Sequence, residues 1–463
     1  MRKRVLLVSS WTNSIKVLGY YLSPPMGLYR IQHWLEKKHD VDILDPNVED
    51  PIHFLENCGF YDVIGFSPTK DNLHNDIALI HYARKLYPQT QIVLGGSEAS
   101  NNYQMFLNMD IVDFIIMGEG EKALEFFLEN KFNIHISPGI MFKNKSTSTF
   151  LSTDELTWVT SLDFGRLPLK EYWKRNASVT NNDPLSTNCI NLYITNNCPI
   201  GCKFCSTTRP DVKVVGINPH GLVRMLEKIM IQVPDTKTIY FHDDNACGDR
   251  KNTIEWCTEA IRAGINVSYV ASSRIRHFDS EMLDIMIKAG FRKLSCGIEA
   301  YSDSLLKKVR KAQRVKDIDN FISLMRDAGI PVHVNVILCQ PEAEIDDVKR
   351  TAEFCLRILE DKRNTVGVEP YIKAYTGSWY YDNWDLIEYT YNTVPSINGT
   401  KSEKIRIPRR FLPRDKKVHH LLVQIDEAYK TDGFFIDKRK ESYLTAQLSE
   451  KLCKLALELI KGL

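Results

Sequence analysis

Tyr193-Ile194-Thr195-Asn196-Asn197-Cys198-Pro199-Ile200-Gly201-Cys202-Lys203-Phe204-Cys205 leaves an apolar run and ends in a loop that carries three cysteines. The chain has 11 cysteines in 463 residues, and chance would produce this spacing only roughly 0.006 times, so it is a motif. The other eight, at 58, 189, 247, 257, 296, 339, 355 and 453, are scattered and resemble buried thiols, not a secreted disulfide framework. Three thiolates on one loop can hold three irons of a four-iron cluster and leave the fourth iron open to a ligand. Zinc is the rival, but a closed zinc site needs a fourth ligand. The nearest candidates, Cys189 and His220, have no finger-like spacing, so the iron–sulfur reading is preferred.

Short apolar runs alternate with amphipathic stretches on both sides of this loop. After it they are Leu192 to Thr195, Thr238 to His242, Val267 to Ala271, Leu294 to Gly297, Val332 to Leu338 and Val366 to Tyr371. Six strand–helix units in this space predict an incomplete parallel barrel, with its chemistry at the strand C-termini. Before it, Val5 to Val8, Val41 to Leu44, Val63 to Phe66, Ile92 to Leu94 and Phe114 to Met117 alternate with helical stretches such as Leu28 to Lys38 and Ile77 to Leu86. That order predicts a doubly wound parallel sheet. Its strand ends carry Gly65 with Ser67, then Gly95-Gly96-Ser97, then Gly118-Glu119-Gly120-Glu121. One such glycine is turn chemistry, but recurrence along one sheet edge points to a ligand approached by backbone amides.

The expected fold class is therefore α/β: an N-terminal Rossmann-like sheet over 1–135, a hairpin-like connector over 136–187, a partial (β/α)6 barrel over 188–385, and a mostly helical extension over 386–463. Within the connector, Lys143 to Thr149 is a polar tract. Leu444 to Leu463 is the clearest helix of the tail.

Composition excludes several classes. The chain is 43% hydrophobic and 25% charged with a formal charge of +2, so it is neither disordered nor drawn by a global field to nucleic acid. Lys401 to Lys417 holds eight basic and two acidic residues, which predicts a solvated face more readily than an anion site. The apolar run after Met1-Arg2-Lys3-Arg4 is too short for a signal peptide, and no span of eighteen apolar residues follows. A cytoplasmic protein without a membrane or nucleic-acid partner is expected.

The cysteine loop after a barrel's first strand resembles that of the radical S-adenosylmethionine (radical SAM) enzymes. The resemblance implies a 4Fe-4S cluster on Cys198, Cys202 and Cys205, with S-adenosylmethionine chelated to the open iron. It implies Phe204 against the adenine, and Asp243 or Asp244, in Phe241-His242-Asp243-Asp244-Asn245, receiving the methionine ammonium. Ser272 and Arg274 would take the methionine carboxylate, Glu299 the ribose hydroxyls, and Asn335 would face the ligand. The local alternatives are a helix N-cap at Asp243 or Asp244 and an ion pair of Glu299 with Arg274. Pro24-Pro25-Met26-Gly27-Leu28 and the three glycine edges resemble the cobalamin-binding domain that precedes the barrel in part of this family. That resemblance implies cobalamin against Pro25, Gly65, Ser67, Gly95, Gly96, Gly118, Glu119 and Gly120.

Two departures stand out. The Asp-x-His-x-x-Gly motif that supplies a cobalt-ligating histidine is absent, and Cys339-Gln340-Pro341-Glu342-Ala343-Glu344 replaces the more usual Gly-x-Pro-Gly-Glu. Tyr375, Trp379, Tyr380, Tyr381 and Trp384 either stack on a planar substrate or corrin edge, with Tyr375, Trp379 and Tyr380 as the substrate candidates, or pack the tail. The resemblance implies a methyltransferase acting on an unactivated carbon of a small molecule, with an external electron donor such as flavodoxin or ferredoxin. The alternatives are a non-methylating radical rearrangement, cyclisation or oxidation, and a non-catalytic iron–sulfur scaffold. The three cluster cysteines of methylthiotransferase front domains are missing, since the front half has only Cys58.

Overall fold

The computed structural model describes residues 2–12, 23–143, 145, 156–177, 185–207, 213–431 and 441–463. The first half alternates β1 (Arg4–Ser9), α1 (Met26–Leu35), β2 (Asp40–Leu44), α2 (Pro51–Asn57), β3 (Val63–Ser67) and α3 (Leu73–Leu86). It continues with β4 (Gln91–Leu94), α4 (Gly96–Asn101), α5 (Tyr103–Leu107), β5 (Phe114–Ile116), α6 (Gly120–Glu129) and β6 (Ile140–Met141). The sheet order is β2-β1-β3-β4-β5-β6, parallel except for β6. Both faces are covered, so strands such as Val5–Val8 are apolar throughout and lie between two separate core clusters. The order reverses between β1 and β3, where doubly wound sheets open a ligand crevice.

The connector forms no hairpin of its own among the described residues. β6 pairs antiparallel with β5, two short turns follow at Thr157–Ser161 and Phe164–Arg166, and α7 (Leu169–Ala177) ends the segment. Tyr172 of α7 donates to the Asp45 carboxylate at 2.6 Å, anchoring the connector to the first domain. Most of the Lys143 to Thr149 tract lies outside the described residues.

The second sheet is β7 (Cys189–Leu192), β8 (Thr238–Phe241), β9 (Ser268–Ser273), β10 (Phe291–Glu299), β11 (Val332–Cys339) and β12 (Thr365–Tyr371), all parallel and in sequential order. Helices α8 (Pro219–Gln232), α9 (Arg250–Arg262), α10 (Ser280–Ala289), α11 (Asp303–Lys308), α12 (Val315–Asp327) and α13 (Ile345–Ile358) connect them. Each start is signalled locally, as where Asn218 caps α8 ahead of Pro219 and Asp279 caps α10. This is the expected six-stranded partial barrel. Its first strand ends three residues earlier than expected, because the Ile194 and Thr195 amides leave the ladder for the Asp243 carboxylate.

After α14 (Trp379–Asn383), the tail is helical at its end, as expected, with α15 (Lys416–Thr431) and α16 (Glu441–Ile460), but it opens with an antiparallel hairpin of β13 (Ile387–Val394) and β14 (Glu403–Phe411). The hairpin turns at Asn398-Gly399, both at positive φ, with the Thr400 amide donating to the Ile397 carbonyl at 3.0 Å. α16 packs on α13 and β12 and covers the flank of the barrel. The basic segment is largely neutralised within the chain: Arg409 and Arg410 pair with Glu388, Arg410 with Asp426 and Arg414 with Asp385.

Candidate functional site

The cysteine loop follows β7 at the C-terminal mouth of the barrel. Its course is fixed by Asp243, whose buried carboxylate accepts from the amides of Ile194 (2.9 Å) and Thr195 (2.5 Å) and from the Thr195 hydroxyl (2.7 Å). Burial raises this carboxyl to about 6 despite those bonds. Asp243 is thus committed to holding the strand end, which corrects its expected place among the ammonium acceptors. Asp244 keeps an open face: it accepts from Thr207 at 3.2 Å, and burial in the cleft raises its pKa. Neither caps a helix, because Asp249 caps α9.

All eleven cysteines are free thiols. Within the loop, Cys198 and Cys202 are buried and Cys205 is half-buried. Burial pushes the Cys198 and Cys202 thiols up, while Arg274 opposes the rise at both and Lys311 at Cys202. Among the described residues, no three His, Cys, Asp or Glu side chains converge closely enough to hold a single metal ion. Arg274 and Lys311 thus place positive charge beside the cysteine loop, which suits thiolates that bind a metal group.

Opposite the loop, β9 ends in Ser272, Ser273 and Arg274. Tyr240 and Ser272 share a hydrogen bond of 2.9 Å, and Asn245 accepts from the Arg274 amide at 3.1 Å. The Arg274 guanidinium donates to the Lys311 carbonyl at 2.6 Å. Glu299 does not pair with Arg274. It binds Lys311 at 2.8 Å with both side chains buried. Burial pulls the Lys311 ammonium down, but Glu299 and Cys202 outweigh it and leave its pKa raised. Glu299 also sits at φ +65°, at an irregularity in the β10–β11 pairing. A non-glycine residue held in that region stores strain of order 1–3 kcal/mol, a marker of a functional strand end. Any side chain at Gly297 would meet Glu299 Oε1 and Lys311 Nζ, so glycine there makes room for the pair. Asn335, on β11, is exposed and hydrogen-bonded to His333 at 3.1 Å.

The first domain presents a cavity of about 490 Å³ at the expected sheet edge. Its lining includes all eight residues anticipated there: Pro25, Gly65, Ser67, Gly95, Gly96, Gly118, Glu119 and Gly120. A Cβ at Gly65 would press on Leu7 and Val93 at 3.2 and 3.3 Å, and Gly96 and Gly118 have φ of +85° and +91°. These glycines shape a cradle that side chains would fill, and the residues fit a cobalamin tail. One lining residue comes from the other domain. Tyr193, five positions before Cys198 and 44% exposed, reaches into this cavity and stacks on His242 at 5.9 Å.

A second cavity, of about 430 Å³, lies between the domains. Phe204, Cys205 and Thr207 line one side, Lys70 and Glu98 the other, with Tyr375 at its edge. Of the aromatic candidates, Tyr375 therefore stays at an open site. Tyr380 does not: it is fully buried, with its hydroxyl on Glu342 at 2.6 Å. One cation, Lys203, lies 4.4 Å from the Trp379 ring centroid and another, Arg310, 5.3 Å from it.

Sequence reasoning missed Tyr193, Lys203 and Lys311. For Lys311 the signal is the basic run Lys307-Lys308-Val309-Arg310-Lys311 just after the fourth barrel strand.

Comparison with known proteins agrees with this geometry. The radical SAM superfamily model matches residues 192–355, and the B12-binding domain model matches residues 16–128. The chain thus carries a radical SAM domain with a B12-binding domain ahead of it. Its cofactors are S-adenosylmethionine, a 4Fe-4S cluster and cobalamin. It is 21% identical over 378 residues to an uncharacterized methyltransferase of Pyrococcus horikoshii, covering 80% of this chain and 81% of the relative. It is 26% identical over 401 residues to the hopanoid C-3 methylase of Methylococcus capsulatus, covering 83% and 73%. The cobalamin-dependent S-adenosylmethionine radical enzyme OxsB with aqua-cobalamin bound shares the fold, with a TM-score of 0.74 and 14% identity over 99% of this chain and 72% of that one. No helix among the described residues is long and apolar enough to cross a membrane.

Proposed function

We propose that this chain is a cobalamin-dependent radical SAM methyltransferase that methylates an unactivated carbon of a small metabolite. The observation that carries this reading is Tyr193, which lines the glycine-edged cavity of the first domain and also leads into the cysteine loop of the second. Two cofactor sites that share a wall can act on one substrate. The names of the two relatives, a methyltransferase and a methylase, support the same reaction class.

Bound in these sites, the cofactors supply reductive cleavage of S-adenosylmethionine to methionine and a 5′-deoxyadenosyl radical, together with a transferable methyl group. The chain binds, orients and shields. Cys198, Cys202 and Cys205 hold the cluster. Asp244 accepts the methionine ammonium, and Arg274 and Ser272 hold its carboxylate. Glu299, held in place by Lys311, accepts from the ribose, Phe204 lies along the adenine, and Asn335 borders it from the barrel. The cavity between the domains, with Tyr375 at its rim, suits a small molecule in volume. Electrons come from an external flavodoxin- or ferredoxin-type donor. Free thiols throughout suit a reducing cytoplasm.

The test is an anaerobic incubation with reductant, cobalamin and methyl-labelled S-adenosylmethionine. 5′-Deoxyadenosine together with S-adenosylhomocysteine and labelled methyl on cobalt is the expected result. 5′-Deoxyadenosine without S-adenosylhomocysteine would move the chain to the non-methylating radical enzymes, and the absence of both would reject the reading.

A further inference from the structure

Lys203 stands between Cys202 and Phe204 and is held from three directions. Its amide donates to the Val309 carbonyl at 3.1 Å, and its carbonyl accepts from the Tyr380 amide at 3.0 Å. Its ammonium donates to Glu342 Oε2 at 2.8 Å, the same oxygen that takes the Tyr380 hydroxyl. The Trp379 ring lies beneath the ammonium. Lys203 and Tyr380 are buried, so this is not a surface ion pair that solvent would screen. Lys308 closes the far side by donating to the Glu342 carbonyl at 3.3 Å.

Glu342 belongs to the loop after β11, where this chain departs from Gly-x-Pro-Gly-Glu. Aligned on Pro341, Glu342 stands where that pattern has its second glycine. Glycine offers no carboxylate, so the contact with the cysteine loop is specific to the sequence found here. Buried charge beside an iron–sulfur cluster shifts its reduction potential, because the cluster gains negative charge when it takes up an electron.

We propose that Glu342, Lys203 and Tyr380 form a positioning clamp that sets the reduction potential of the cluster on Cys198, Cys202 and Cys205. The clamp rests on the cluster reading given above. Lys203 supplies a fixed positive charge next to a ligand, Glu342 tempers it, and Tyr380 holds both in register with the segment that carries Tyr375 into the cavity between the domains. Trp379 and Tyr380 therefore act on the cluster loop and do not stack on a substrate.

The experiment compares the full chain with Lys203→Met, Glu342→Gln and the double variant, each reconstituted anaerobically. Iron content is measured first, followed by the cluster midpoint from a titration monitored by electron paramagnetic resonance. The expected result is iron near four per chain throughout, a potential raised in Glu342→Gln, lowered in Lys203→Met and close to the parent in the double variant. Shifts of one sign in both single variants, or no shift with iron retained, would overturn the clamp. Loss of iron from both would reduce the contact to a brace for the loop and would also overturn it. A parent chain that takes up no iron would instead refute the cluster reading beneath it, so the two failures are distinguishable.

Discussion

Replacing Asp243 separates the strand-end clamp from everything else the barrel mouth does. Asp243→Ala leaves the buried Ile194 and Thr195 amides without their acceptor. An orphaned buried donor costs about 1–3 kcal/mol, so the pair loses about 2–6 kcal/mol of local stability. At about 1.4 kcal/mol per decade, hydrogen exchange at these two amides should quicken roughly 30- to 20,000-fold. Asp243→Asn is the control. Oδ1 takes most of the bonds in the parent, so the Asn oxygen can keep them and exchange should stay within a few-fold. The carboxyl is raised from 3.8 to about 6, so its protonated form is the one the fold favours. Its contribution is fully present below about pH 4 and is lost as pH rises through 6, a change of about 3 kcal/mol. Asp243→Asn should abolish that part of the pH dependence, read from urea midpoints of the metal-free chain at pH 4.5 and 7.5. Unchanged exchange at residues 194 and 195 in Asp243→Ala would refute the clamp.

Cys202→Ala should bring iron well below four per chain and end S-adenosylmethionine cleavage, measured as 5′-deoxyadenosine released under reductant. Gly96→Val places a side chain at φ +85°, against Ser67 Oγ at 3.1 Å, and should cut cobalamin binding at least tenfold by equilibrium dialysis while leaving iron in place. Glu299→Gln keeps the shape but loses the charge that Lys311 neutralises. S-Adenosylmethionine affinity should fall by about 1–2 kcal/mol, roughly 5- to 30-fold by calorimetry of the cluster-loaded chain. In the first domain, burial raises Asp76 to about 7, so its contribution also declines as pH rises toward 7. Asp76→Asn should flatten thermal stability between pH 5 and 7.

Much of this was legible in the sequence because the strands of both sheets, parallel but for β6, are apolar-rich runs bounded by glycine or polar ends. The glycine edges and the cysteine loop are local signals, and they fall where strand ends meet. What the sequence concealed depends on distant partners. The early end of β7 is set by Asp243, about 50 residues downstream. Lys311 becomes a site residue only because β10 ends in a strained Glu299 that it can reach. The β13–β14 hairpin has its turn written at Asn398-Gly399, but its strands carry no clean alternation, since Arg406 covers Tyr389 at 3.6 Å and Arg410 is buried in ion pairs. Tyr380 looks like an exposed aromatic until Glu342 and Lys203 are placed against it.

The most direct test of a two-cofactor enzyme is the iron and cobalt content of the chain, prepared anaerobically with cobalamin supplied and free cofactor removed. Iron near four and cobalt near one per chain are expected, with cobalt lost in Gly96→Val and iron lost in Cys202→Ala. Iron at that level with no cobalt in the parent chain would contradict the two-cofactor reading.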